Sequence, residues 1–75
     1  MSSHDGKLVM MANQIGKFFV PQKSGDAVAA IADHLEKFWD PRMRSAIIAH
    51  LAAGGVGLDP PVREAVSRLK APKVA

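Results

Sequence analysis

The dipeptide Asp40-Pro41, which directly follows the only tryptophan of the chain, requires a break between two helices. Proline disfavours helical geometry at the residue before it. The Asp40 carboxylate can accept hydrogen bonds from the free N–H groups of the following turn. Pro41 suits the first helical position, where its missing donor costs nothing. The stretch 36–44 therefore predicts a helix-to-helix corner around which the rest of the chain is organised.

The two aromatic residues before this corner, Phe38 and Trp39, have two interpretations. In the first, both close the apolar stripe of the preceding helix and belong to the hydrophobic core, and this is the interpretation that we favour. In the second, part of the cluster that they form with Arg42 and Arg44 faces a partner, because interface hot spots are enriched in tryptophan and arginine.

Four stretches with apolar residues at helical spacing predict helices at about residues 5–19, 26–39, 41–53 and 60–70. No segment alternates apolar and polar residues as a strand would. We therefore expect an all-α fold, a small bundle of about four short helices without a sheet, formed by residues 1–75 as a single domain. The predicted inner faces contain Leu8, Met11, Ala12, Ile15, Phe18 and Phe19; Val28, Ile31, Ala32, Leu35, Phe38 and Trp39; Met43, Ile47 and Leu51; and Val62, Ala65, Val66 and Leu69.

Capping residues mark the predicted helix ends. The N-caps are Asp5 for the first helix, Ser24 or Asp26 for the second, Asp40 for the third and Asp59, before two prolines, for the fourth. Gly54 suits a left-handed residue that ends the third helix. Gly16 lies inside the first helix, where it would be explained by the close approach of another backbone or simply by chance. Asp33 and Lys37 have the spacing of a favourable surface ion pair.

The composition limits how this chain can be stabilised and what it can bind. Seventy-five residues bury a limited fraction of their surface. There is no cysteine, and the three histidines are far apart, so we expect neither a disulfide nor a structural zinc. Association with another chain is the remaining source of stability. The net charge of +3 is spread along the chain without a basic stripe. We expect no export signal and no membrane span.

Catalytic chemistry is not indicated. His34 and His50 are separate and are expected to be packing residues, and Asp40 and Asp59 are explained as caps. The loop 54–58 resembles a phosphate-binding loop only in its glycines, because no Gly-Lys-Ser/Thr follows. We also expect a chain this small to lack a pocket of several hundred cubic ångströms. The sequence thus predicts no catalytic, cofactor-binding or metal-binding residue, and no activity for the isolated chain.

Two strings carry a family resemblance: Met-Ala-Asn-Gln-Ile-Gly at residues 11–16 and Phe-Trp-Asp-Pro-Arg-Met-Arg at residues 38–44. With residues 8–10, 17–19, 31–35, 37, 54–55, 58 and 62–66, they resemble the delta subunit of soluble NAD-dependent, molybdenum-containing formate dehydrogenases. The resemblance covers most of the chain. It departs clearly only at the termini and in the first loop.

The resemblance implies an accessory subunit of a cytoplasmic complex that converts formate and NAD to CO2 and NADH. In that family the alpha subunit holds a bis-molybdopterin guanine dinucleotide molybdenum centre and iron–sulfur clusters. The beta and gamma subunits pass electrons to NAD through FMN, and the delta subunit holds no cofactor. Its implied role is to dock on the alpha subunit and to support its stability, assembly or cofactor maturation. The candidate contact residues are Met10, Asn13, Gln14, Lys17, Trp39, Arg42 and Arg44.

Three alternatives remain at the level of the sequence. The chain could be a transient maturation factor in which Arg42 and Arg44 contact the phosphates of the molybdenum cofactor. It could be a small nucleic-acid-binding helical module, which the net charge of +3 suggests although no basic stripe supports it. A stand-alone enzyme is the last alternative. The sequence leaves open which face docks and with what stoichiometry.

Overall fold

The computed structural model describes residues 3–22 and 25–70, and over these residues it contains four helices and no strand. The helices are α1 (Ser3–Phe19), α2 (Ala27–Phe38), α3 (Pro41–Ala52) and α4 (Pro60–Ser67). The predicted all-α fold is therefore confirmed. Two bounds differ from the expected ones by more than one residue: α1 begins at Ser3, so Asp5 lies inside it rather than before it, and α4 ends at Ser67 rather than near Lys70.

The hydrophobic core draws residues from all four helices, since α1 and α4 each pack against the three others. The five largest of its completely buried side chains each contribute about 1.5–3 kcal/mol through removal from water. They are Ile31, Leu35, Ile47, Val62 and Val66. The rest of the core consists of Leu8, Val9, Ala12, Trp39, Leu58, Ala65 and Leu69. A core built from so few side chains makes each of them important for stability.

Gly16 is a point of close contact between α1 and α4. A Cβ atom at this position would lie 2.5 Å from Cγ2 of Val62. The sequence suggested another backbone as the reason for this glycine, but the neighbour is a completely buried valine side chain. Gly16 therefore allows α4 to pack directly on the surface of α1.

Two phenylalanines expected on inner faces are exposed instead. Phe18 of α1 is 64% exposed and Phe38 at the end of α2 is 72% exposed. Val9, which was not placed on the inner face of α1, is buried. The reason is that α4 packs on the side of α1 that carries Gly16. The core side of α1 is thereby turned toward Val9 and Ala12, and the edge that carries Phe18 is left uncovered.

The observed helix ends confirm two of the predicted caps and correct a third. Asp26 Oδ1 accepts a hydrogen bond from Ala29 N at 3.2 Å, and Asp40 Oδ1 accepts one from Met43 N at 2.9 Å. The alternative cap Ser24 lies outside the described residues. Asp59 occupies the N-cap position of α4 but makes no side-chain cap bond. Because Pro61 occupies the second position of α4, one of the two N–H groups from which an N-cap side chain usually accepts is absent.

The third helix ends as the sequence predicted, through glycines with positive φ. Gly54 has φ of 123° and Gly55 has φ of 65°. Gly55 N donates to His50 O at 2.9 Å, and Gly54 N donates to Leu51 O at 3.0 Å. These two bonds have the pairing of a Schellman motif, which satisfies carbonyls at a helix end. The predicted ion pair between Lys37 and Asp33 is also present, at 3.1 Å on the surface.

The difference between the two aspartates at helix starts leads to a testable prediction. Asp40→Ala should lower the free energy of unfolding by about 1 kcal/mol, because it removes the bond to Met43 N. Asp59→Ala should change it by less than about 0.5 kcal/mol, because no cap bond is lost. Urea denaturation followed by circular dichroism would measure both. Equal losses for the two variants would contradict the assignment of the caps.

Candidate functional site: an aromatic groove

An open groove lies where α1, α2 and the start of α3 meet. Its volume is about 560 Å³. We call it the aromatic groove; it is lined by Met11, Gln14, Ile15, Phe18, Phe19, His34, Phe38, Trp39 and Met43. The expectation that so small a chain lacks a pocket of this size is therefore wrong. The space exists because three short helices meet at this end of the bundle without filling it.

Four rings form a continuous series across the groove from α1 to α2. The Phe18 and Phe19 ring centroids are 5.1 Å apart and nearly perpendicular. The Phe19 and His34 centroids are 6.0 Å apart, and those of His34 and Phe38 are 4.8 Å apart. These separations lie in the range in which aromatic pairs attract each other. The series gives the groove an ordered apolar wall although its outer members face solvent.

The exposure of this wall is the main reason to regard it as a functional surface. Phe18 and Phe38 are mostly exposed, and Met11, which lines the same groove, is 36% exposed. Single exposed apolar side chains are ordinary, but a contiguous patch is typical of an interaction site. Met11 also has a flexible thioether that adapts to the shape of a partner. The groove can therefore bind an apolar surface by excluding water from these side chains.

The seven contact residues predicted from sequence fall into three groups. Gln14 and Trp39 line the aromatic groove, with Gln14 exposed and Trp39 only 5% exposed at its floor. Met10, Lys17 and Arg42 are exposed outside its lining. Asn13 and Arg44 make hydrogen bonds within the chain. Contact of any of the seven with a partner remains a prediction.

The hydrogen bonds of Asn13 and Arg44 give both residues a role inside the fold. Asn13 Nδ2 donates to Gly57 O at 2.8 Å, and Asn13 Oδ1 accepts from Asp59 N at 3.0 Å, so one amide ties the loop before α4 to α1. Arg44 donates to Trp39 O and to Glu36 O at 3.3 Å. Its guanidinium thereby joins the end of α2 to the start of α3 and maintains the corner at Trp39.

The two hydrogen bonds that Asn13 makes with the loop support a second stability prediction. Asn13→Ala should lower the free energy of unfolding by about 1–3 kcal/mol, because the partly buried Asp59 N–H loses its acceptor. Its neighbour Gln14→Ala, which removes an exposed side chain, should change it by less than about 0.5 kcal/mol. Hydrogen exchange should show faster exchange at Asp59 in the Asn13 variant alone. Unchanged exchange at this amide would contradict the role of Asn13.

Sequence reasoning missed Phe18, Met11 and His34 as members of the site, and it included Phe38 only in the alternative interpretation of the aromatic and arginine cluster. One signal could have found the two phenylalanines. Phe18-Phe19 and Phe38-Trp39 are adjacent aromatic pairs, and neighbouring residues on a helix face directions about 100° apart. One member of each pair is therefore directed away from the centre of the core. The sequence does not say that the two displaced rings lie on the same side of the molecule.

The titratable groups near the groove show no arrangement typical of catalysis. His34 is the titratable residue among the described lining residues. His50 is buried, and its Nε2 lies 2.7 Å from Val56 O, where an N–H would donate to the loop carbonyl. Over residues 6–22 and 25–70, no three histidine, aspartate or glutamate side chains are grouped as metal ligands would be. Within the same residues, no helix has the length and apolar character needed to cross a bilayer.

A four-helix fold with an open, exposed aromatic groove defines a small all-α protein whose prominent surface feature is suited to binding. The comparison with protein families is specific. A family model described as NADH-dependent formate dehydrogenase delta subunit FdsD matches residues 7–66. The chain therefore belongs to this family of delta subunits, as the sequence resemblance indicated, and is part of an oxidoreductase system. No curated protein and no solved structure matches it significantly.

Proposed function

We propose that this chain is a non-catalytic accessory subunit that docks on the large, molybdenum-bearing alpha subunit of a cytoplasmic NAD-dependent formate dehydrogenase. In this role it supports the assembly, stability or cofactor maturation of the enzyme. The family match supports the assignment to the complex. The observation that carries the docking role is the aromatic groove, whose outer rings Phe18 and Phe38 are mostly exposed to water.

The groove supports docking on energetic grounds. Burial of a large apolar side chain that was exposed contributes about 1.5–3 kcal/mol. Phe18, Phe38 and Met11 together offer a compact set of such side chains on one surface. Because the wall is already ordered by ring contacts, little side-chain entropy is lost when a partner covers it. A small subunit of this kind can gain stability from its partner while holding that partner in one arrangement.

The cofactors belong to other subunits in this proposal. The molybdenum centre with its bis-molybdopterin guanine dinucleotide and the iron–sulfur clusters reside in the alpha subunit. FMN and the NAD site reside in the beta and gamma subunits. The contribution of this chain is mechanical: it covers apolar surface on the alpha subunit and restrains the conformation in which the cofactor is inserted or retained.

Deletion of the gene for this chain tests the proposal most directly. The remaining subunits should be purified and assayed for molybdenum content, for subunit composition and for formate oxidation. We expect loss of activity, either with intact assembly and low molybdenum, which indicates maturation, or with dissociated subunits, which indicates a structural role. Full activity, molybdenum content and assembly in the deletion strain would contradict the proposal.

Retention by the assembled enzyme separates a permanent subunit from a transient maturation factor. Tagged chain should retain the alpha subunit at physiological salt and in constant proportion to enzyme activity. Exclusive association with enzyme that lacks molybdenum would instead favour a transient role. Arg42 is exposed and could then contact cofactor phosphates, whereas Arg44 already donates to two backbone carbonyls.

A further inference from the structure

We infer that the aromatic groove binds a short amphipathic helix of a partner subunit that carries acidic side chains on its flanks. The inference deepens the proposed function, on which it rests for the source of the helix. Three observations support it: the length of the groove, the charges around it and the poor fit of a second copy of this chain to the groove.

The length of the groove fits about two turns of helix. On α1 its lining runs from Met11 to Phe19, which are eight residues apart. At about 1.5 Å per residue, this wall is about 12 Å long. A helix that lies along it would present apolar residues at i, i+4 and i+7, the usual spacing for a helix in a groove. The described residues contain no strand, so the addition of a partner strand to a sheet edge is not an option here.

The described charges that flank the groove are mainly positive. Lys17, Lys37 and Arg42 each precede a lining residue by one position, on α1, α2 and α3 respectively, and all three are exposed. Lys7 lies on the same line of α1 as Met11, one turn earlier, and is also exposed. Each of the three elements that form the groove therefore carries at least one exposed cation next in sequence to a lining residue.

The described carboxylates of α2 and of the corner offset this positive charge only in part. Asp33 is paired with Lys37 at 3.1 Å, so this cation and this anion balance each other. Asp40 caps α3 but keeps its negative charge, since the N–H group that it accepts from is uncharged, and it offsets one cation. Glu36 is directed about 160° around α2 from Phe38, given about 100° per residue. Lys7, Lys17 and Arg42 outnumber Asp40, so the border keeps a net positive charge, which is complementary to aspartate or glutamate beside the apolar stripe of a partner.

A second copy of this chain fits the groove poorly. In a two-fold symmetric pair the same patch meets itself, so that the lysines and arginine of one border would face those of the other. The described helices also offer no other exposed apolar stripe at i, i+4 and i+7, since the large apolar side chains exposed outside the groove are Met10, Val20 and Val56. An acidic, amphipathic helix of a different subunit satisfies both the shape and the charge of the groove.

Photo-cross-linking in the assembled complex tests this inference. Phe38→p-benzoylphenylalanine places the probe in the groove, and Val56→p-benzoylphenylalanine places it at a similarly exposed position outside it. The complex is irradiated, and the linked peptides are identified by mass spectrometry. We expect the probe at position 38 to link to a partner helix with apolar residues at i, i+4 and i+7 and with neighbouring acidic residues. The probe at position 56 should not link to that helix.

Charge reversal provides a second, independent measurement. Lys17→Glu should weaken retention of the partner subunit by about five-fold and make that retention less sensitive to salt, since an exposed charge contact is lost and replaced by repulsion. Lys70→Glu reverses another exposed lysine, beyond the end of α4, and should have no effect on retention. Equal effects of the two reversals would overturn the role of the positive border.

The outcomes separate the inference from the proposed function. If the complex forms but the probe at position 38 remains unlinked, links two copies of this chain or links a segment without acidic residues, the inference is overturned and the docking role stands. If the unsubstituted chain retains no formate dehydrogenase subunit, the docking role and the inference are both overturned.

Discussion

Trp39→Ala should lower the free energy of unfolding by about 3–5 kcal/mol, because it removes a large side chain that is 5% exposed from the core. A protein of this size is stabilised by only about 4–11 kcal/mol in total. We therefore expect a large shift of the urea midpoint or loss of the folded state at 25 °C. Circular dichroism is the suitable probe, because the variant no longer contains tryptophan to report by fluorescence.

The neighbouring substitution Phe38→Ala is the matched control. Phe38 is 72% exposed, so its removal should change the free energy of unfolding by less than about 0.5 kcal/mol. It should nevertheless reduce retention of the alpha subunit, because it removes part of the groove wall. Equal destabilisation by the two substitutions would show that Phe38 belongs to the core. Unchanged retention with Phe38→Ala would argue against the groove as the docking surface.

Gly16→Ala should also destabilise the protein, by about 1–3 kcal/mol, although alanine is the better helix former. The new methyl group would lie 2.5 Å from Cγ2 of Val62, which belongs to a short and completely buried side chain. Either this side chain or α4 itself has to move. The gain in helix propensity is about 1 kcal/mol at most and does not offset this repulsion. Thermal and urea denaturation would measure the loss.

Gly6→Ala makes the same chemical change on the same helix without the close contact. No atom lies within 4 Å of a Cβ placed at Gly6, so this variant should be as stable as the original or slightly more stable. The double variant Gly16→Ala/Val62→Ala should be more stable than the sum of its single effects, because shortening Val62 removes the clash. Additive losses would contradict the proposed contact between α1 and α4.

The contacts of Gly16 and Asn13 set the orientation of α1, on which the groove depends. The approach of α4 at Gly16 turns Val9 and Ala12 into the core and leaves Phe18 at the surface. The bonds from Asn13 to Gly57 and Asp59 hold the connection between α3 and α4 against the same helix. A substitution that rotates α1 should therefore affect docking even when it lies far from the groove. Gly16→Ala variants that remain folded would allow this effect to be measured.

The sequence by itself determined the elements of this protein. Proline chemistry and capping at Asp40-Pro41, the glycines after Leu51 and the apolar spacing of each helix act within a few residues. The number of helices and the position of the corner could therefore be read from local pattern. The family could also be recognised from two strings of residues. Such recognition needs only the order of the residues along the chain and no knowledge of the fold.

The tertiary structure alone decided which apolar residues form the core and which form a surface. The stripe of α1 is too wide for its neighbours to cover, and helical periodicity does not say which edge remains open. That choice depends on the contact of Val62 with Gly16, which are 46 positions apart in the chain. The same packing brings Phe18, His34 and Phe38 into one groove. Local sequence rules describe interactions along one helix, whereas a groove is produced by the space left between several.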